Sequence, residues 1–397
     1  MHILVINSGS SSLKYQLFNM PSDIPLCTGQ IERIGTEGSF IRHQIQAPAQ
    51  LIERNEVIAD HDVGLRQVLE LLADPVTGVV STPDAIDAIG HRVVHGGESF
   101  ASATLITPAV KETIKALFPL APLHNPINYQ CIEIAEQTFP KAKQIAIFDT
   151  AFHQTMPEYA FRYALPQELY HQEAIRVYGF HGTSHRYVSK KAIAWLEKPD
   201  AKLISIHLGN GSSITAVDKG KSIDTSMGFS PLSGLVMGTR SGDIDPSVIF
   251  HLLSRGYSPD DVNNLLNKKS GMQGLTGFSD MRDIRKAMEA GDQTAALAYE
   301  IYAYRVKKYV GAYAAILNGL DAIIFTAGIG ENDATLREMI CTQLTFLNIS
   351  LDSEKNRSPD RGLRAVNAPD SPVRIFIIPT NEELEIAQQT YDLLQGK

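Results

Sequence analysis

Asn7-Ser8-Gly9-Ser10-Ser11-Ser12 follows the apolar run Ile3-Leu4-Val5-Ile6 and precedes Leu13-Lys14-Tyr15-Gln16-Leu17-Phe18. Apolar run, small polar tip and second apolar run read as strand, turn, strand, a β-hairpin whose tip holds only Asn, Gly and Ser. The same chemistry returns at Asn210-Gly211-Ser212-Ser213, after Leu203-Ile204-Ser205-Ile206-His207-Leu208 and before Ile214-Thr215-Ala216-Val217. Small tips let backbone N–H groups and hydroxyls close on a ligand, and such a cradle suits phosphate oxygens. One copy alone would pass for an ordinary hairpin turn. Two copies, in equivalent places of two halves, point to a duplicated fold that clamps a polyphosphate.

The surrounding pattern is that of a mixed α/β protein. β segments extend through about Ile45, with turn residues such as Pro21-Ser22-Asp23 between them, and a helix is expected near Val63–Leu72. A buried strand at Ala85–Ile89 runs into His91-Arg92-Val93-Val94-His95-Gly96-Gly97. Helices near Pro108–Phe118 and from Pro126 flank the loop Ala121-Pro122-Leu123-His124-Asn125, and the strand 144–148 delivers Asp149 at its carboxyl end. Strands alternating with helices imply a parallel arrangement, and ligands gather at the carboxyl ends of such strands. The second half repeats the order with a hairpin at 203–217, a strand around Ser222-Ile223, helices over 246–253 and 259–266, and a long helix from Thr294 to Leu317. Asn318-Gly319 stops that helix. The strand Ala322–Thr326 then feeds Gly328-Ile329-Gly330-Glu331-Asn332, expected as a turn ahead of a helix. A last strand, Arg374–Ile378, and a terminal helix after Pro379 complete the pattern. The expected domains are 1–150 together with the helix 383–397, and 151–382, with a solvated cleft between them.

Composition bounds the function. The chain has 397 residues, 44% of them hydrophobic and 20% charged, which is an ordinary globular balance with mass enough for two or three domains. A net charge of −8 leaves no basic excess for a nucleic-acid backbone. Cys27, Cys131 and Cys341 are far apart and odd in number, which reads as buried reduced thiols and a cytoplasmic setting. Neither a signal peptide nor a membrane span is expected.

Neither hairpin is a Walker A loop, because Lys14 lacks the second Gly and the following Ser or Thr. Arg92 and Arg240 each lie among glycines or small residues, where a guanidinium can project unobstructed, although a lone Arg would otherwise read as surface charge. His181, between Gly179-Phe180 and Gly182, has the same open setting. Thr380-Asn381-Glu382-Glu383 matches a capping box, with Thr380 as the cap and Glu383 folding back on it, leaving Glu382 free.

Together, 7–14, 91–97, Phe148-Asp149-Thr150-Ala151-Phe152-His153, Tyr178-Gly179-Phe180-His181-Gly182-Thr183-Ser184-His185, 207–211, Met237-Gly238-Thr239-Arg240-Ser241-Gly242-Asp243-Ile244-Asp245-Pro246, 327–332 and 379–384 resemble the acetate kinase family. The resemblance runs the full length in order. Only Val177 and Ser233, beside the motifs, stand where many members have Arg and Glu. It implies a two-domain actin-like ATPase (ribonuclease H-like) fold with a duplicated βββαβαβα core, the C-terminal helix packing on the N-terminal domain. It also implies in-line phosphoryl transfer from ATP to acetate with Mg²⁺, for which Mn²⁺ can substitute, propionate kinase being the alternative. A homodimer is implied by the family alone, and no membrane or nucleic-acid partner.

The resemblance assigns roles residue by residue. Arg92 would hold the acyl carboxylate, Arg240 would meet the transferring phosphoryl, and His181 would donate a hydrogen bond to it. Acetate is already ionised at neutral pH, so Asp149 reads as orienting the metal and its water rather than as a base. Asn7 and Glu382 would complete the metal environment. Ser12, Lys14, His207, Leu208, Gly209, Asn210 and Gly211 would face the phosphates. Asp280, Met281 and Arg282, with Gly328, Ile329, Gly330, Glu331 and Asn332, would take the adenosine side, with Arg282 on the base. Val94, Leu123, Phe180 and Pro231 would surround the acetate methyl, and strand alternation would put Val94 on the face of Arg92. His124 and His185 are weaker candidates.

Overall fold

The computed structural model describes all of residues 1–397, which fall into two compact units, Met1–Ala151 with Asn381–Lys397, and Phe152–Thr380. The first unit is built on eight strands: β1 His2–Ser8, β2 Ser12–Asn19, β3 Pro25–Glu32, β4 Phe40–Gln46, β5 Ala49–Asn55, β6 Ala88–Val93, β7 Thr104–Leu105 and β8 Lys143–Phe148. Their order is β5-β4-β3-β2-β1-β6-β8-β7. β1 to β5 form an antiparallel meander, while β1, β6 and β8 run parallel. The near-continuous burial of β6 and β8 is what parallel strands covered on both faces require. β5 was not expected, because only Ile52 of its seven residues is even partly buried, so no inward stripe marks it.

Helices α1 His61–Leu72, α2 Pro108–Ala116 and α3 Asn125–Thr138 follow the expected periodicity. Asp60 caps α1 by accepting from Val63 N, and Leu65, Val68, Leu71 and Leu72 bury one face in the core under the meander. The chain's last helix, Glu382–Leu394, packs on β1, β6 and β8 of this same unit. Gly90 on β6 makes that approach possible: a Cβ there would lie 2.6 Å from Thr390 Oγ1 and 2.7 Å from Ile386 Cγ2.

The second unit has six strands, β9 Lys202–Leu208, β10 Ser212–Asp218, β11 Lys221–Thr225, β12 Ala322–Thr326, β13 Arg364–Ala365 and β14 Arg374–Ile377, ordered β11-β10-β9-β12-β14-β13. The run β11-β10-β9-β12-β14 repeats β3-β2-β1-β6-β8: an antiparallel three-strand meander followed by two parallel strands. Its helices are α4 Glu158–Phe161, α5 Gln167–Glu173, α6 Gly182–Leu196, α7 Ser247–Ser254, α8 Pro259–Lys268, α9 Gly271–Thr276, α10 Met281–Glu289, α11 Gln293–Leu317, α12 Ala327–Asn332, α13 Ala334–Cys341 and α14 Ser353–Arg357; the C-terminal helix is α15. α11 starts at Asp292, which accepts from Thr294 N and Ala295 N, and ends at Asn318 in the left-handed region. Tyr299, Tyr302, Val306, Val310, Tyr313 and Leu317 form its buried stripe, as expected.

Two local readings are corrected. Residues 328–332 are not a turn before a helix but lie within α12 itself, entered through Ala327 at φ +66°. The N-cap of α15 is Asn381, whose Oδ1 accepts from Leu384 N, so Glu383 is not the partner of a capping box. Thr380 instead shares a hydrogen bond with Ser184 Oγ (2.8 Å). The three cysteines are buried free thiols, and no helix is long and apolar enough to cross a membrane.

Candidate active site

In the first unit the ends of β1, β6, β8 and α15 bring charge together. Asp149 follows β8, its N–H held by Val93 O (2.9 Å), and its Oδ2 accepts from Arg92 Nη2 at 2.9 Å. Glu382, at the first turn of α15, places Oε2 3.8 Å from Arg92 Nε. That Nε–H is buried and has no hydrogen-bond partner. Arg92 is 19% exposed at its side chain, so the expectation of a freely solvated guanidinium is corrected: it is gripped by Asp149. The Glu382 carboxyl is pushed up to about 7, chiefly by burial and also by Asp149 and Glu383, against the pull of Arg92 and Lys14. One arginine thus supplies less positive charge than the cluster can use.

Asn7, near the end of β1, donates from Nδ2 to Glu383 Oε1 (3.3 Å). Lys14 and Glu383 line one open cavity of about 300 Å³ on the β2–β3–β4 face. Asp149, Glu382 and Asn7 carry oxygen atoms of the hard kind that Mg²⁺ takes, although no three acidic side chains are grouped as a ready-made metal site, and the raised proton affinity of Glu382 shows a place that favours an added cation. Two asparagines missed in the sequence hold this corner. Asn128 accepts from Val94 N (3.1 Å) and donates to Ser8 O and Oγ (3.0 Å each), tying the 91–97 segment to the first hairpin. Asn125 exchanges hydrogen bonds with His95 N and O. Asn125 at the entry to α3 was the available signal; Asn128, one turn on, had none.

The first hairpin closes tightly, Gly9 N donating to Ser12 O at 2.8 Å. The second is ringed by histidine and serine rather than by carboxylates. His181, left-handed at φ +57°, precedes α6, and its Nδ1 lies 2.9 Å from Ser213 Oγ on β10. Its ring stacks on His207 at 4.3 Å between centroids. Ser213 Oγ also meets His185 Nε2 (2.7 Å), whose Nδ1 meets Ser205 Oγ (2.8 Å), while His207 Nδ1 meets Ser184 Oγ (2.8 Å). A Cβ at Gly211 would stand 3.2 Å from His181 Nε2 and 3.7 Å from Arg240 Nη1, so glycine keeps the space between these two groups open. Arg240 Nη1 donates to Pro231 O (3.0 Å), and Gly238 N donates to Asn210 O (3.1 Å), which joins the 237–242 loop to the hairpin tip. Ser213, His185 and Ser184 contact the two stacked histidines or each other, and nothing in their spacing separates them from core residues.

Asp280 caps α10, accepts from Arg282 N, and pairs with the Arg282 guanidinium at 2.6 Å. That pairing holds its carboxyl down at about 2. Arg282 is 82% exposed at its side chain and Met281 is buried. In α12, Asn332 Nδ2 donates to Gly328 O (2.8 Å) and Glu331 Oε1 accepts from Thr380 N (3.3 Å). Of the residues expected around a methyl group, Val94 (6% exposed) and Leu123 (67%) belong to the first unit, and Phe180 (3%) and Pro231 to the second. β6 ends at Val93 and the Val94 N–H turns to Asn128, so strand alternation does not fix the Val94 side chain relative to Arg92.

Comparison with known proteins agrees with this geometry. Acetate kinases of Flavobacterium johnsoniae and Thermotoga maritima are 55% and 51% identical to the chain, over 397 and 401 residues, and each alignment spans at least 99% of both partners. The crystal structure of Porphyromonas gingivalis acetate kinase superimposes with a TM-score of 0.93 at 42% identity, covering 99% of each chain. A propionate kinase structure from Francisella tularensis gives 0.92 at 44% identity, covering 98% of each. The fold is that of the two-domain actin-like ATPases. A model of the acetokinase family matches residues 2–388, and the chain belongs to that family.

Proposed function

We propose that the protein transfers a phosphoryl group reversibly between ATP and acetate, giving ADP and acetyl phosphate. The observation that carries this reading is the buried, unpartnered Nε–H of Arg92, on a guanidinium that Asp149 already holds still. A fixed donor that makes no hydrogen bond, with the Glu382 carboxylate still 3.8 Å away, is a place for an anion to bind. The acetate carboxylate takes it, and its oxygen attacks the γ-phosphorus as the bond to the ADP oxygen breaks. No base is needed, because the attacking group is already ionised. Three equatorial oxygens carry the charge of the transition state. Arg240 supplies a cation to them, and His181 a hydrogen-bond donor from Nε2. His181 Nδ1 lies 2.9 Å from Ser213 Oγ; with that hydroxyl as donor, the neutral ring would carry its proton on Nε2. Asn7 and Glu382 would hold Mg²⁺, with Asp149 orienting it; when bound, the ion neutralises phosphate charge. Segments 280–282 and 328–332 take the adenosine side, and Val94 bounds the methyl group.

A coupled assay of ADP release with and without acetate, titrated with Mg²⁺, tests this. Release that ignores acetate would overturn the reading. The likeness to a propionate kinase supports a second reading, and a larger kcat/KM on propionate than on acetate would select it. We place the enzyme in the cytoplasm as a homodimer. Ile244, Val248, Phe250, Leu253 and Tyr257 are all more than a third exposed within fourteen residues, an apolar density that suits a covered face. Phe250→Glu should leave a monomer by light scattering.

A further inference from the structure

Arg337, on α13, is the largest fully buried side chain of the protein, at 2% exposure. A guanidinium so deep ordinarily lies against a carboxylate. Here its hydrogen bonds go to neutral oxygens: Nη1 donates to Gly330 O (2.8 Å), Nε to Asn356 Oδ1 (2.8 Å) and Nη2 to Asn356 O (2.9 Å). Asn356 Nδ2 in turn donates to Ala334 O (2.8 Å). The charge is therefore used to hold the carbonyl of Gly330, inside α12, against α13 and α14. Apolar residues of similar volume would fill the same space at less desolvation cost, so a buried cation in this place points to fixing a conformation.

Tyr299, on α11 and 0% exposed, completes the arrangement from the other side. Its hydroxyl lies 2.8 Å from Asp333 Oδ2 and 3.1 Å from Met281 O. Asp333 Oδ1 accepts from Leu336 N (2.9 Å) and Asp333 N donates to Ile329 O (2.9 Å). One hydroxyl thus connects the first turn of α10 to the junction of α12 and α13. We infer that Tyr299 and Arg337 are positioning residues for the nucleotide, a buried brace that sets the segments 280–282 and 328–332 at a fixed spacing. The inference rests on the reading that these two segments hold the adenosine side.

The test uses three variants of the full-length protein, read by ADP calorimetry and steady-state kinetics. Tyr299→Phe keeps the ring and removes the hydroxyl that Asp333 Oδ2 and Met281 O share, so it should raise KM for ATP and Kd for ADP about tenfold. KM for acetate and kcat at saturating ATP should stay within about twofold of wild type, the split expected when only nucleotide binding is lost. Arg337→Lys should act in the same direction and more strongly, since an ammonium cannot reproduce the three-way fork. Gly328→Leu probes the underlying reading by itself: a Cβ at Gly328 meets nothing within 4 Å, so the variant fits the free protein and obstructs only a nucleotide lying on α12. Unchanged ADP affinity in Gly328→Leu would remove the nucleotide reading and the brace with it. Weakened ADP binding there, with wild-type affinity in Tyr299→Phe and Arg337→Lys, would keep the nucleotide site and overturn the brace. Equal losses toward ATP and acetate would also overturn it, by reducing both residues to general stability.

Discussion

The two hairpins, β1–β2 and β9–β10, share a topology and a tip of Asn, Gly and Ser, yet each is surrounded by different chemistry. Around the first stand full charges: Arg92, Asp149, Glu382, Glu383 and Lys14. Around the second stand His181, His185, His207, Ser184, Ser205 and Ser213 in a hydrogen-bonded set, with Arg240 as the cation beside it. Duplication supplied the same backbone cradle twice, and the side chains then divided the work. The first unit sets ions against one another, and the second surrounds its hairpin with hydrogen-bonding rings and hydroxyls.

The sharpest way to break this comparison is to make one substitution in each unit. Arg240→Ala should lower kcat by about 10³-fold, the size of a lost transition-state cation. Its denaturation midpoint should stay close to wild type, since no carboxylate ion pair is lost with it. Arg92→Ala should cost similar turnover and also destabilise the protein by about 3 kcal/mol, because the buried Asp149 carboxylate loses the guanidinium that compensates its charge. Matching stability losses in both variants would erase the distinction between the units.

A second prediction concerns acid. Burial lowers His43, His91 and His95, all of the first unit, to about 4. Their folded values lie below the unfolded 6.5, so the stability they contribute is present above pH 6.5 and is lost as pH falls from there to 4. Each accounts for about 3 kcal/mol over that window. His43→Phe, which fills the space beside Tyr15 without a titrating ring, should flatten the fall in urea midpoint between pH 7 and pH 4.5. An unchanged slope would show that His43 titrates normally.

Two smaller effects sharpen the picture of the first unit. If Val94 bounds the acetate methyl, Val94→Ala should shift kcat/KM toward propionate by about 1–3 kcal/mol, the worth of one methylene. A plain core valine would destabilise the fold and leave the preference unmoved. Asn381→Ala should cost about 1 kcal/mol through the lost cap of α15, whereas Glu382→Ala should spare the cap and raise the Mg²⁺ requirement. Chemical denaturation and a magnesium titration on both variants would expose an exchange of these roles.

The corrected cap shows where reading by pattern stops. Thr380-Asn381-Glu382-Glu383 contains two residues able to cap, and a one-residue shift turns Glu383 from a cap partner into a neighbour of Asn7. Only the hydrogen bond to Leu384 N separates the two. β5 failed for another reason: an exposed edge strand has no buried stripe to see.

Hairpins, parallel strands, the long helix and its stop were legible in the chain because period, apolar runs and turn residues are local properties, and local sterics and solvation decide them. Arg92, His181 and Arg240 could be singled out by the glycines near them, Asp149 by its place after a strand and Glu382 by the helix start, while their roles came from the family resemblance alone. Which atoms meet was decided by the tertiary structure. Arg92 finds Asp149 fifty-seven positions away and Glu382 at the far end of the chain, and Asn128 reaches back to Ser8. Tyr299 reads in sequence as one more residue of a buried stripe, and no local pattern singles out Arg337. Packing determined their partners, because desolvation makes a buried polar atom take whichever donor or acceptor the folded chain places beside it.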